Sequence, residues 1–158
     1  MQHSVREATL EDMPLVAEIM VTSFRTAFAG LVTPETMAAC TNPENCRAMM
    51  QHVHREGRMR FLLGDDAGFL CWCRTEQGAE IIALHSLPKS WGTGLGRAMM
   101  EKALSQMEGT AELWVFRDNL RARRFYEKQG FSWDGRERIS KFDDAAEVHY
   151  VRGQEKET

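Results

Sequence analysis

Three glycines at alternate positions, Gly92, Gly94 and Gly96, stand directly before Arg97, between an Ile/Leu-rich run (Glu80 to Leu87) and a Met/Leu/Ala stretch of helical period ending at Met107. The order predicts a buried strand broken at Pro88, a glycine turn and the first turn of a helix. A helix start leaves backbone N–H groups unpaired at the positive end of the dipole, and glycines let a ligand approach without a Cβ clash. The chemistry on offer is binding of a phosphate or pyrophosphate on Gly92 to Arg97, with charge-assisted hydrogen bonds from Arg97. A plain connector is the alternative. Two nucleotide motifs fail on spacing: no Lys-Ser or Lys-Thr pair follows the glycines, and Arg97 stands where a dinucleotide fingerprint has its third glycine.

A second group lies downstream. Asn119, Ala122 and Tyr126 fall at i, i+3 and i+7, so they share one face of a helix about two turns long. A polar anchor, a small residue and a phenol then line up along one ligand; a half-buried Tyr on an amphipathic helix is the alternative. In the strand before the glycines, alternation puts Glu80, Ile82, Leu84 and Ser86 on one face and His85 on the other, unless a bulge changes the phase.

Together these residues resemble the GNAT superfamily of N-acetyltransferases. Trp91-Gly92-Thr93-Gly94-Leu95-Gly96 is similar to that family's pattern of Arg or Gln, two residues, Gly, one residue, Gly or Ala, at the end of a fourth strand. Trp91 departs from Arg or Gln, which removes a side-chain contact but not the backbone cradle. Asn119, Ala122, Phe125, Tyr126, Gly130 and Phe131 fill every position of the family's second signature. The resemblance implies an α/β (α+β) fold: a mixed, mostly antiparallel twisted sheet of about seven strands flanked by four or five helices. It further implies transfer of an acetyl group from acetyl-coenzyme A to a primary amine by direct attack in a ternary complex, with no metal.

The resemblance also distributes roles. The cosubstrate lies across Leu84 to Arg97 and Asn119 to Tyr126, with backbone groups of Leu84, His85 and Ser86 meeting the pantetheine arm and the oxyanion. Tyr126, with a reference pKa of about 10, is the candidate donor of a proton to the departing thiolate. Glu80 is the candidate base, eleven positions before Trp91, the offset at which histone acetyltransferases of this superfamily carry a base glutamate. His85 is the second choice, a water-mediated route is a third, and Glu80 as a mere strand-start carboxylate stays open. The acceptor, a small-molecule or protein amine, is not legible, nor are the acyl-chain preference and homodimer formation.

The elements that must position these groups follow from the rest of the chain. Val5 to Ala8 reads as a strand, and Thr9 with Asp12 as a capping box opening a helix whose stripe is Met13, Val16, Met20, Phe24 and Phe28. Phe24 and Phe28 either pack or line the acceptor side. Thr33-Pro34 and Asn42-Pro43 each read as an N-cap followed by proline at the first helical position, with Gly57 closing the later helix. Met59 to Leu63 and Phe69 to Cys73 are strands about an Asp65-Asp66 turn. Leu113 to Phe116 is a strand, and Phe131 to Phe142 with Ala146 to Val151 forms a closing hairpin about Asp143-Asp144.

Composition sets the bounds. The chain has 158 residues and a formal charge of −3 with both signs interspersed, which argues against nucleic acid as the main partner. No apolar run reaches the length of a membrane span, so a cytoplasmic protein is expected, with one domain over 1–152 and a short flexible tail over 153–158. Cys40, Cys46, Cys71 and Cys73 form no C-x-x-C pair and read as reduced thiols; Cys71 and Cys73 share a strand face. His52 and His54 do not face each other on a helix. Glu35, Asp143 and Asp144 either favour a cationic acceptor or are solvated charges. A coenzyme A-binding sensor without transfer activity and a nucleotide-binding protein are the rival functions.

Overall fold

The computed structural model describes residues 2–140 and 143–153. Seven strands form one sheet in the order β1-β2-β3-β4-β5-β7-β6. They are β1 (Val5–Glu7), β2 (Met59–Gly64), β3 (Gly68–Arg74), β4 (Gly78–Ser86), β5 (Thr110–Phe116), β6 (Ser132–Ile139) and β7 (Ala146–Arg152). Every neighbouring pair is antiparallel except β4 with β5. The helices are α1 (Met13–Ala27), α2 (Pro34–Cys40), α3 (Pro43–Glu56), α4 (Leu95–Gln106) and α5 (Leu120–Lys128). This is the mixed, mostly antiparallel α/β architecture expected from the sequence. None of the described helices is long and apolar enough to cross a membrane. The tail expected from 153 onwards lies, after Gly153, outside the described residues, as do Lys141 and Phe142 of the expected hairpin.

Local chemistry sets the element ends. Thr33 and Asn42 cap α2 and α3, accepting from the backbone N–H of Thr36 at 3.2 Å and Asn45 at 3.0 Å, with proline at the first position of each helix. These caps satisfy amides that the helix start would otherwise leave unpaired. Asp12 accepts from the Thr9 N–H at 2.7 Å, but the turn it closes is a 3-10 turn (Leu10–Asp12), and the α-helix proper begins at Met13.

The sheet separates two apolar layers. On one face Leu62, Leu70, Trp72, Ile81 and Leu113 pack against Leu95, Met99, Met100 and Ala103 of α4. On the other, Phe61, Leu63, Phe69 and Cys71 meet Met13, Val16 and Ile19 of α1 and Cys46 and Met50 of α3. Each fully buried Leu, Met or Phe contributes about 1.5–3 kcal/mol relative to exposure. α1 also buries Ala17, Val21 and Ser23, a wider face than the expected stripe, because it is wedged between the sheet and α3.

The feature that matters for function is the length of the parallel contact. β4 and β5 pair only from Gly78–Thr110 to Ile81–Leu113. Both strands then continue, β4 to Ser86 still paired with β3 and β5 to Phe116 still paired with β7, without pairing each other. The sheet therefore opens along its middle.

Candidate active site

The opening begins where β4 breaks its register. Trp72 pairs with Ile81 and Cys71 with Ala83, so Ile82 is an extra residue on β4, and it is 45% exposed. An inserted residue reverses the alternation beyond it. Glu80, cross-strand from Cys73, and His85, cross-strand from Phe69, consequently share the α1 face, while Leu84 and Ser86 turn to the α4 face. Alternation without the bulge predicts the reverse.

His85 is 9% exposed, stacked on Phe69 at 5.5 Å and edge-on to Phe28 at 5.9 Å, with Nδ1 3.1 Å from the Ser23 hydroxyl. Burial lowers its pKa to about 4, so it is neutral at neutral pH and a weak base. Glu80 is different. It lies in the zipped part of the β4–β5 pair beside Glu112, and its carboxyl pKa is raised by burial and then by the Glu112 charge, against the pull of Arg138, His149 and Arg58. A carboxylate raised in this way is closer to the range of a general base at neutral pH.

The Glu112 carboxylate faces a buried histidine. His149, 1% exposed, has its Nδ1 2.7 Å from the Asp134 carboxylate and 2.8 Å from the Arg136 guanidinium, and its Nε2 lies 3.4 Å from Glu112. Burial works against the Asp134 charge, but the Arg136 N–H, His149 and the Arg136 guanidinium outweigh it and hold the carboxyl at about 2.

At the far end of β4 the chain passes through a 3-10 turn (Pro88–Ser90) into the glycine turn. The Trp91 indole N–H donates to the Ser86 carbonyl at 3.1 Å, so Trp91 ties the turn back to the strand, and the Arg121 guanidinium lies 3.6 Å above its ring. Gly94 is the N-cap of α4 with φ +90°, a conformation that a side chain would strain. The first helical bond runs from the Ala98 N–H to the Gly94 carbonyl at 3.0 Å, so the amides of Leu95, Gly96 and Arg97 belong to the uncommitted first turn. These amides fit a phosphate group. The side chains there do other work. Leu95 is buried against the sheet, a Cβ on Gly96 would come within 3.2 Å of the Phe125 ring, and Arg97 pairs with Glu101 at 2.9 Å on the exposed flank of α4.

Opposite, Asn119 caps α5, its carbonyl oxygen accepting from the Ala122 N–H at 3.2 Å. The polar residue of the second motif thus sets the start of the helix that carries Tyr126. Ala122, Phe125 and Tyr126 pack on the α4-side core. Tyr126 lies against Phe125 and Phe131 with centroids at 5.4 and 6.0 Å, and burial pushes its phenol up to about 12. It stays protonated at neutral pH and able to donate.

Three contacts gave no signal in the sequence. His3 bridges the Asp65 carboxylate (2.6 Å) and the Thr93 carbonyl (2.8 Å), pinning the glycine turn to the β2–β3 turn. Both partners accept, a geometry that favours the charged imidazole, and the His3 pKa is raised by them. Across the molecule the Asp143 carboxylate accepts from Thr33, from N at 3.0 Å and from Oγ1 at 2.9 Å, fastening the β6–β7 turn to the start of α2. Asp143 is therefore engaged rather than a free solvated charge. Phe28, at the end of α1, meets Phe116 of β5 edge-on at 5.4 Å beside the opening.

The comparisons with known proteins agree with this geometry. An uncharacterized N-acetyltransferase of Archaeoglobus fulgidus is 44% identical over 73 residues, 44% of this chain and 49% of that protein. The mycothiol acetyltransferase of Kineococcus radiotolerans is 39% identical over 72 residues, 43% of this chain and 24% of that protein. The chain thus spans half or less of the length of these relatives. The structure of the PaiA N-acetyltransferase of Thermoplasma acidophilum in complex with coenzyme A superposes with a TM-score of 0.76 at 18% identity, covering 98% of this chain and all of that one. Residues 30–131 match the Acetyltransferase (GNAT) family, and they hold the opened β4–β5 pair, the glycine turn and the helix of Tyr126, so the chain belongs to the GNAT acetyltransferase family.

Proposed function

We propose that this protein is an acetyl-coenzyme A-dependent N-acetyltransferase acting on a primary amine. The observation that carries the proposal is the parallel β4–β5 pair that stops at Ile81 and Leu113 while both strands run on. It leaves a slot in the sheet with the first turn of α4 at one mouth and the Tyr126 helix along one side. The uncommitted amides of Leu95 to Arg97 suit the cosubstrate phosphates, and the free edge of β4 at Leu84 to Ser86 suits the amide-bearing pantetheine arm. That the Thermoplasma acidophilum neighbour was solved in complex with coenzyme A supports coenzyme A as the ligand.

In this scheme the amine nitrogen attacks the acetyl carbonyl, the carbon–sulfur bond breaks, and the sulfur takes the Tyr126 proton. The proton lost by the amine passes to Glu80, through water, because Glu80 lies below the point where the strands part. Negative charge on the carbonyl oxygen is met by backbone N–H of the unpaired β4 edge. The acceptor enters from the side bordered by Phe28, Phe116 and the Asp143-tethered turn. Four free cysteines, three of them buried, fit a reducing cytoplasmic setting.

A coenzyme A sensor without transfer activity is the second reading, favoured by Trp91 at a motif position that asks for Arg or Gln. Thiol release with any member of an amine panel sinks it. The deciding experiment is thermal unfolding with acetyl-coenzyme A, coenzyme A, NADH and ATP in parallel. A ligand at about a hundred times its Kd adds about 2.7 kcal/mol, enough to raise the midpoint by several degrees. A shift by the coenzyme A species alone is expected; no shift, or one by NADH or ATP alone, overturns the proposal.

A further inference from the structure

Arg121 is an isolated cation in an unusual place. It is the second residue of α5, whose first turn carries no acidic residue, and a positive charge there is opposed by the helix dipole. Three neighbouring arginines are committed: Arg97 to Glu101 at 2.9 Å, Arg117 to Asp118 and Glu137 at 3.6 and 3.5 Å, and Arg123 to the Tyr150 hydroxyl and the Arg117 carbonyl, both at 2.8 Å. Arg124, one turn further along α5, is exposed and, among the described residues, lacks the aromatic support that Arg121 has. Arg121 has no carboxylate among the described residues. Its contact is the Trp91 ring, 3.6 Å below the guanidinium carbon, and that ring is held by its bond to the Ser86 carbonyl. The stack leaves the N–H groups around the guanidinium rim free to point sideways. Trp91 is the residue directly before Gly92, so the stack lies at the entrance to the glycine turn.

Resting on the cosubstrate reading above, we propose that Arg121, carried on the face of Trp91, is the guanidinium that binds the pyrophosphate of coenzyme A, and that Arg97 is not. The position that the motif gives to Arg or Gln is occupied here by an aromatic platform, and the charge arrives from the neighbouring helix. A planar, weakly hydrated cation on a fixed ring is well suited to a phosphate pair. Bringing a dianionic group between the starts of α4 and α5 also removes the conflict between Arg121 and the α5 dipole.

The test is binding by calorimetry, with quenching of tryptophan emission as a second readout, for coenzyme A, 3′-dephospho-coenzyme A and pantetheine. Arg121→Ala is expected to weaken coenzyme A and 3′-dephospho-coenzyme A alike, by about 10- to 100-fold, to leave pantetheine unchanged, and to flatten the salt dependence. Arg97→Ala is expected to change each less than about 2-fold, since an exposed i,i+4 pair contributes little. Adding Trp91→Arg to Arg121→Ala is expected to recover most of the loss, which guards against a folding artefact, as does an unchanged melting midpoint of the apo variant. Wild-type affinity in Arg121→Ala overturns this inference and leaves the cosubstrate reading standing. A loss confined to coenzyme A, absent with 3′-dephospho-coenzyme A, overturns the pyrophosphate assignment in favour of the 3′-phosphate. Failure of the wild-type protein to bind either coenzyme A form overturns both.

Discussion

The two sides of the opened sheet are built on different principles. On the α4–α5 side the candidate binding elements are mostly main-chain groups: the first turn of a helix, a glycine turn, the edge of β4. Apart from Arg121 and Tyr126, side chains there support the backbone, as Leu95 does by burial and Asn119 by capping. On the α1 side the surroundings are side chains from distant parts of the chain, Phe28, His85 and Phe116, with a turn held in place by Asp143 and Thr33, 110 positions apart. Backbone recognition demands particular residues at particular spacings, so it leaves a motif. Recognition by side chains can be met by many combinations, so it leaves none.

The contrast predicts that damage on one side spares binding on the other. Tyr126→Phe tests the point where the sides meet. Removing the phenol proton is expected to lower kcat by about 100-fold or more with coenzyme A affinity unchanged in calorimetry; an unchanged kcat removes Tyr126 from the mechanism. Glu80→Gln comes next. The raised Glu80 carboxyl must lose its proton to act, so the wild-type rate should climb as pH passes upward through that pKa. The variant should lose this limb, so its deficit against wild type should be largest above that pKa, while the acceptor amine is still mostly protonated, and should shrink below it, where the wild-type carboxyl is itself protonated. A uniform loss at every pH assigns Glu80 a positioning role.

Asp143→Ala confines the damage to the acceptor side. It should raise the acceptor KM by a few-fold, leaving the KM for acetyl-coenzyme A as it was; equal changes in both would erase the distinction. The Thr36 hydroxyl, then the Thr33 N–H, keep the Asp143 carboxyl below the usual range. Its share of stability is therefore present above pH 4 and lost as pH falls through the folded pKa. His3→Gln should have the smallest effect, on the cosubstrate side. The His3 pKa is raised by Asp65 first and then by the Thr93 carbonyl. Its contribution is complete below about pH 6.5 and disappears as pH rises through the folded value. The melting curves of wild type and variant should accordingly differ in mildly acidic buffer and converge in alkaline buffer; a constant gap would mean that the charge on His3 does not matter.

What could be seen in the sequence follows the same division. Helix caps at Thr33 and Asn42, the strand runs and the glycine turn are local, and each is visible in a few consecutive residues. The bulge at Ile82 was not, because the Ile-Ile-Ala run alternates no more clearly with an inserted residue than without one. One inserted residue was enough to bring His85 and Glu80 to the same face. The His3–Thr93 and Thr33–Asp143 contacts span 90 and 110 positions, and nothing in the composition around His3 or Asp143 specifies such partners. The Arg121–Trp91 stack lay within reach of a sequence argument, since both residues fall inside recognised motifs, but only the packing of α5 against the glycine turn brings them together.

Where β4 and β5 part, the sheet acquires two inner margins in addition to those of β1 and β6. Exposed strand margins ordinarily invite pairing with another chain, and so aggregation. These two face each other across a slot, with Phe28 against Phe116 at its side. The peptide groups of these inner margins thus face an opening with a strand on either side, whereas the outer margin of β6 is exposed along its whole length.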